Sequence, residues 1–531
     1  MKLWSSLRPL LAGLVLAAPL AVIPAMESAA AGAAPGGRSA EVNEAPPGVV
    51  PALQDWQGGT GRLALGDRSR IVVPAGASAP VRRLARQVAR EAAELTPLKL
   101  RVATGSPRPG DISLRLDPRA ELGAVKPALR PEAYRMTVRE DRVELVAAAD
   151  KGAYYASRTL LQSLLGSPDH RSLPVGTAVD FPDYAVRGFM LDVGRRFFTP
   201  EFIESYLHWM GWLKMNTLQL HLNDNEIKPE GGDWSKAQSA FRLATDNPEF
   251  RGLAATDGAY TRADWDSFED TAAANGVTLV PEIDAPAHAR SFIAFKPELG
   301  LNGGNSDHLD LGKPATTEFM KSVYREFAPW FRGPAVHIGA DEYPKEYVDD
   351  YRGYVNTIAP YVRGLGKQVG AWGSFGVMSG GGEGYDKELT LNSWNNEWYG
   401  PKAATADGYD VINSNDALLY VVPYADYYHG QGLDGRWIFS EWAPHVFGEG
   451  QDLPAEDPRL LGAMPAVWND LVHADYTELD VHRLVEKSFA ALAQKMWSPR
   501  AAGSDYSAFL DRLATVGQGP GTGYLPDTRP E

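Results

Sequence analysis

The chain has 531 residues, a formal charge of −15, a pI near 5.2 and no cysteine. That removes disulfides, thiolate nucleophiles and Cys-ligated metals from consideration, and it disfavours nonspecific nucleic-acid binding. Hydrophobic and charged fractions of 44% and 22% are those of a globular chain of about two to four domains, not a fibrous or disordered one.

Lys2 and Arg8 precede and flank an apolar run over residues 10–22, and small residues follow, with Ala31-Gly32-Ala33 as one cleavage point. This is the pattern of a signal peptide over residues 1–33. Pro19 and Pro24 interrupt a run shorter than the roughly 18 apolar residues that a membrane span needs. A secreted, extracellular protein is expected, with no membrane association in its mature form. Residues 34–55 are rich in Gly, Pro and Ala and read as a disordered lead-in.

Residues 56–179 read as a small α+β domain. Strands are expected at 70–73, 111–116, 134–138 and 142–147, and helices at 81–95 and 151–165. No catalytic constellation stands out there. From residue 180 the pattern alternates. Strands are expected at 188–193, 217–222, 277–283, 335–338, 368–372, 389–394, 410–413 and 463–468. Helices are expected after Thr199-Pro200-Glu201, where a cap, an N1 proline and an acid coincide, and at 261–274, 315–331, 347–365 and 481–496. Eight β-like segments, many followed by helices, predict an α/β fold, a (β/α)8 barrel of the TIM type over residues 180–515, with a tail at 516–531. A doubly wound sheet is the alternative.

A barrel places chemistry in the loops leaving the C-terminal ends of its strands. Those ends collect residues 187–195 at strand one, His221 and Asp224 at strand two, and Glu282, Asp284 and His288 at strand three. His337, Asp341 and Glu342 follow at strand four, then Trp372, Trp394, Tyr420, Trp468 and Asp470. Each has a bland reading: a core histidine for His221, a turn cap for Asp224, core packing for the tryptophans. Their recurrence at nearly every strand end is what points to an enzyme. The tryptophans together could wall an apolar box that stacks on a sugar face. His221, His288 and His337 lack the i, i+4 spacing of a zincin site, so neither a metal nor a cofactor is expected.

His337-Ile338-Gly339-Ala340-Asp341-Glu342 is the most specific stretch. Two adjacent carboxylates leave the end of an apolar strand, and in a desolvated cleft each pushes the other's pKa away from its own. With residues 281–288 and Arg187-Gly188-Phe189-Met190-Leu191-Asp192-Val193, it resembles glycoside hydrolase family 20, the β-N-acetylhexosaminidases, over residues 71–496. The resemblance implies Glu342 as general acid and Asp341 as the residue orienting a substrate 2-acetamido group. It implies Arg187 on sugar hydroxyls, Tyr420 on the acetamide carbonyl with Tyr424 as the alternative, and Trp372, Trp394 and Trp468 as the aromatic box. Asp284 and His288 would be a supporting pair. The implied substrate is an oligosaccharide containing N-acetylhexosamine, cleaved with retention by substrate assistance.

Three departures stand out. Ala340 replaces a family glycine, Asn223-Asp224-Asn225-Glu226-Ile227 replaces the usual run after strand two, and Asp470 is one methylene shorter than the usual glutamate. The resemblance implies that these changes line the non-reducing end of the pocket, and they are similar to the lacto-N-biosidase branch, which releases a disaccharide. A noncatalytic glycan-binding protein and a metal hydrolase are the remaining alternatives.

Overall fold

The computed structural model describes residues 43–503 and 505–526. The expected signal peptide, residues 34–42 of the lead-in and residues 527–531 of the tail lie outside the described residues. Among the described residues no helix is long and apolar enough to cross a membrane.

The first domain is a seven-stranded sheet: β1 (Asp55–Ala64), β2 (Arg70–Val73), β3 (Arg101–Thr104), β4 (Ile112–Leu116), β5 (Tyr134–Val138), β6 (Val143–Ala147) and β7 (Ser172–Asp180), in the order β1-β7-β5-β6-β4-β2-β3. Helices Ala79–Leu95 and Asp150–Leu165 pack on it. The first buries Val81, Leu84, Ala85, Val88 and Ala92 at helical spacing and is capped by Ser78, whose side chain accepts from the Val81 N–H. Sequence reading missed β1, β3 and β7. Gly58, Gly59 and Gly61 give β1 the composition of a loop, and its pairing with β7 shifts register between Gly58 and Arg62. The lead-in also differs from expectation. From Val49 on it is packed chain, with Val49 and Val50 buried and the Val50 N–H donating to Gln162 at 2.8 Å.

The second domain is the expected closed barrel of eight parallel strands. These are β8 (Val186–Asp192), β9 (Thr217–His221), β12 (Thr278–Ala285), β13 (Ala335–Gly339), β14 (Gln368–Trp372), β15 (Leu389–Ser393), β16 (Asp410–Asn413) and a broken eighth strand, β18 (Leu460–Ala463) with β19 (Ala466–Val467). A short hairpin, β10 (Asn223–Asn225) and β11 (Ser239–Phe241), follows β9, and β17 (Tyr420–Val421) pairs with β19. The ring closes because β8 pairs with β9 on one side and with β18 and β19 on the other. The eighth strand breaks at Met464-Pro465, where proline has no N–H to offer and its carbonyl accepts from Met190 at 2.9 Å.

The helix Pro200–Trp212 begins as its sequence requires, with Thr199 accepting from the Phe202 N–H. Capping boxes at Thr261 and Thr477 start Arg262–Ala274 and Glu478–Trp497. The described part of the tail folds back: Trp212 donates to the Gly517 carbonyl at 3.1 Å, and Leu525 is buried.

A buried polar seam joins the two domains at the N-terminal end of the barrel, and it corrects one expectation. Arg187 stands at the start of β8, not beyond its end. Its fully buried guanidinium donates to the Glu132 carboxylate, the Tyr155 hydroxyl (3.1 Å) and the carbonyls of Tyr184 (2.7 Å) and Lys214 (2.8 Å). Lys214 pairs with Asp180 at 2.8 Å alongside it. Arg187 therefore holds the domains together and reaches no sugar. Replacing one partner of such a pair leaves the other charged and buried, at a cost of about 3–5 kcal/mol. Arg187→Met is expected to lower the unfolding midpoint strongly while the folded fraction keeps its KM. A raised KM with unchanged stability would restore the sugar-binding assignment.

Candidate active site

A cleft of about 840 Å³ opens at the C-terminal ends of the strands. Arg195 enters it just after β8, His288 after β12, Asp341 and Glu342 after β13, Trp394 after β15, and Tyr420 from β17. Trp468 and Asp470 enter after β19, while residues 226–228, 427–428 and 471–474 form the rim. The barrel rule thus brings together most of the predicted strand-end residues.

The acid pair is held by unusual backbone. Gly339, Ala340 and Glu342 have φ of 69°, 64° and 48°. For non-glycine residues this left-handed region costs on the order of 1 kcal/mol each. Gly339 has no alternative, because a Cβ there would lie 1.5 Å from Asp284 Oδ1. Three contacts hold the turn: the Ala340 N–H donates to the Ala285 carbonyl (3.1 Å), the Tyr351 hydroxyl donates to the Ala340 carbonyl, and His308 Nε2 lies 3.2 Å from the Glu342 carbonyl. The turn puts Asp341 inside, 7% exposed, and leaves the Glu342 side chain 45% exposed at the open face.

His288 joins both acids. Its Nε2 lies 3.8 Å from Asp341 Oδ2 and 3.3 Å from Glu342 Oε2, and its Nδ1 lies 3.0 Å from Asp224 Oδ1. The carboxylate fixing the ring is therefore Asp224, not Asp284 as the expected supporting pair has it. Asp224 is no turn cap: on β10 it also meets His221 Nε2 (2.7 Å) and Arg195 (2.8 Å). Burial opposes its ionisation, but Arg195, His288 and His221 hold it far below the ordinary carboxylate range. Burial likewise opposes protonation of His288, yet Asp224 and Asp341 hold that ring well above its ordinary value. Behind them Glu282 accepts from Trp372 Nε1 (2.6 Å) and Gln219 (2.8 Å), and lies within 3.1–3.2 Å of His221 and His337.

The adjacent acids are separated electrically. Burial, with Glu342 and Glu282 nearby, pushes Asp341 up to about 6 against the pull of His288. Burial also pushes Glu342 up, but the bond and the charge of His288 outweigh it and leave Glu342 below its ordinary value in the open cleft. Asp284 lies deeper, with both carboxyl oxygens buried and unbonded; burial and Asp341 hold it well above the carboxylate range. It backs Asp341 and does not line the cleft.

Trp394 and Tyr420 are nearly parallel, 7° apart with centroids 6.5 Å apart, and Trp468 closes the box 5.7 Å from Tyr420. Trp372 is not a wall. It is 1% exposed and packs beneath Trp468, with its indole N–H spent on Glu282. Tyr424 points elsewhere, exposed and packed on Tyr476, which leaves Tyr420 as the tyrosine of the box. Asp470 closes the far side, accepting from the Tyr427 hydroxyl at 3.0 Å and lying 3.4 Å from Arg195.

Arg195 is the arginine that sequence reading passed over for Arg187. The signal was available: Arg195 follows the end of β8 and Arg187 stands at its beginning. Tyr427 and Tyr428 lie on a loop with no periodicity to flag them. Among the described residues, three groups of His, Asp and Glu are close enough to hold an ion, namely Asp192-His221-Asp224, His221-Glu282-Asp284 and Asp284-His288-Asp341. Their histidines are already engaged by carboxylates.

Comparison with known families matches the profile "Glycosyl hydrolase family 20, domain 2" to residues 46–181 and "Glycosyl hydrolase family 20, catalytic domain" to residues 184–352, together more than half the chain. The chain belongs to glycosyl hydrolase family 20. Among the relatives of this family 20 protein is a lacto-N-biosidase of Bifidobacterium bifidum, 28% identical over 90% of this chain and 42% of that protein. The chain thus spans less than half the length of that relative. A β-N-acetylhexosaminidase of Cellulomonas fimi is 27% identical over 79% of this chain and 83% of its own. A solved Streptomyces plicatus β-hexosaminidase, bound to its product GlcNAc, superposes with a TM-score of 0.72 at 24% identity, covering 89% of this chain and 95% of that one; at that identity the likeness supports the fold.

Proposed function

We propose that this family 20 protein is an exported, retaining exo-β-N-acetylhexosaminidase that uses the substrate's own acetamido group as nucleophile. One observation carries the reading: Asp341 and Glu342, consecutive in sequence, reach the same nitrogen of His288 at the mouth of an aromatic box, with their pKa values driven in opposite directions. A terminal N-acetylhexosamine stacks on Trp468, between Trp394 and Tyr420, with its acetamido arm toward Asp341. The acetamide oxygen attacks the anomeric carbon while Glu342 protonates the departing oxygen. Ionised Asp341 stabilises the positive charge on the acetamide nitrogen, giving an oxazolinium ion. Glu342 then takes a proton from the incoming water. Bound sugar excludes water from Glu342 and competes for the His288 bond, and both effects raise its pKa toward that of a working acid.

Because Asp341 must be ionised, kcat/KM is expected to fall as pH drops below about 6, where Asp341 takes up a proton. A pH–rate profile flat from 7 down to 5 would contradict this role for Asp341.

A second reading is favoured by the rim. The cleft continues past Asp470 to residues 471–474, and the relative matched over 90% of the chain is a lacto-N-biosidase. The same acids would then release a disaccharide ending in N-acetylhexosamine. Product analysis on aryl β-GlcNAc, β-GalNAc and Gal-β1,3-GlcNAc separates the two: free monosaccharide supports the first reading, and intact disaccharide alone supports the second. Export rests on the sequence of residues 1–33; N-terminal sequencing of protein recovered from culture medium tests it.

A further inference from the structure

Charge is divided unevenly between the domains. Residues 56–180 carry 20 Lys and Arg against 13 Asp and Glu, a formal +7, whereas residues 181–531 carry 29 against 50, a formal −21. The positive excess has a focus. On helix Ala79–Leu95, Arg82, Arg83, Arg86 and Arg90 are all exposed, and Arg82, Arg86 and Arg90 fall at four-residue steps, one stripe about 12 Å long. The stripe runs into a surface groove lined by Arg90, Lys99 and Arg101, the last on edge strand β3, beside Asp67, which lies 3.4 Å from Arg171.

Folding gains little from this arrangement. The first turn of the helix holds no acidic residue, although its positive dipole end favours carboxylates and disfavours arginine. Like charges at i, i+4 repel one another. Arg82 donates to the Ala77 carbonyl, but Arg83, Arg86, Arg90, Lys99 and Arg101 make no ion pair or side-chain hydrogen bond with another described residue. The surface carries no large exposed apolar group: those among the described residues, from Ile227 to Tyr524, all lie outside the first domain. It therefore lacks the apolar groups that insert into a bilayer or stack on bases. The domain is attached at the N-terminal end of the barrel, where Tyr154 of the neighbouring helix bonds Asn275, so the stripe is on the domain opposite the end bearing the cleft.

We propose that this basic stripe and groove bind an anionic polysaccharide, a chain with a carboxylate or sulfate on successive sugars, and so anchor the enzyme to a charged glycan matrix. The choice of polysaccharide over other polyanions rests on the glycan-cleaving reading of the cleft; the surface itself does not. The test uses the full chain with polygalacturonate as probe and neutral dextran as control, by affinity electrophoresis and titration calorimetry. Wild type is expected to bind polygalacturonate at low salt and release it at high salt. The variant R82E/R86E/R90E is expected to bind at least roughly tenfold more weakly, with aryl-glycoside hydrolysis by the folded protein unchanged. Absence of wild-type binding, equal binding by the variant, or tighter binding to duplex DNA or phosphatidylglycerol vesicles than to polygalacturonate would each overturn the proposal. A protein that binds through the stripe but cleaves no glycoside would keep this inference and defeat the catalytic reading.

Discussion

Glu342→Gln is expected to lower kcat on an N-acetyl-β-glucosaminide by about 10²- to 10⁴-fold, the range that a positioned general acid supplies. The glutamine keeps the shape of the side chain and its place beside His288, 3.3 Å from the carboxylate oxygen it replaces, but has no proton to deliver. Two readouts make the result specific. Substrates with poor leaving groups should lose far more than those with activated aryl groups, because only the former depend on protonation of the departing oxygen. Product binding should persist, since the box of Trp394, Tyr420 and Trp468 is untouched. Uniform loss across leaving groups would mean that Glu342 acts in some other way.

Asp341→Asn is expected to reduce kcat on N-acetyl substrates by a comparable order, because the asparagine amide cannot offset positive charge on the acetamide nitrogen. It should also stabilise the protein. The Asp341 carboxyl sits at about 6 in the folded chain, above the roughly 3.9 of an unfolded aspartate. Folding therefore binds a proton. The contribution of this group is fully present below the unfolded value and is lost as pH rises through about 6. At neutral pH wild type carries a penalty on the order of 2–3 kcal/mol that a neutral asparagine lacks. The expected signature is a variant that is nearly inactive, melts higher than wild type above pH 6, and matches it in more acidic buffer. A variant less stable than wild type at neutral pH would show that Asp341 is structurally required.

The two predictions depend on different ranges of information. The acid pair was legible because it is local: an apolar strand, a glycine and two carboxylates in succession. Which acid is raised and which lowered was not, because that depends on His288 and Glu282, which the chain brings from another strand. The same division runs through the site. Tyr420 and Trp468 could be named from their strand ends, but whether a tryptophan walls the cleft or lies beneath it depends on what its indole meets. Trp372 meets Glu282 and is buried. Arg187 and Arg195 flank one strand, and only the barrel shows which end of that strand faces substrate.

By itself, the sequence determined the two-domain order, the eight parallel strands with their helices, and the presence of Asp341 and Glu342 at the end of the fourth. Hydrophobic period, caps and turn residues are properties of neighbouring positions, and they act before the chain closes. The tertiary structure alone decided that Asp224 rather than Asp284 fixes His288, that Arg187 locks the domain seam while Arg195 enters the cleft, and that β1 is a strand despite its glycines. Those outcomes are set by contacts between residues tens to hundreds of positions apart. Such contacts exist only once β8 has paired with both β9 and β18, and burial and charge, not local pattern, select among the residues then brought together.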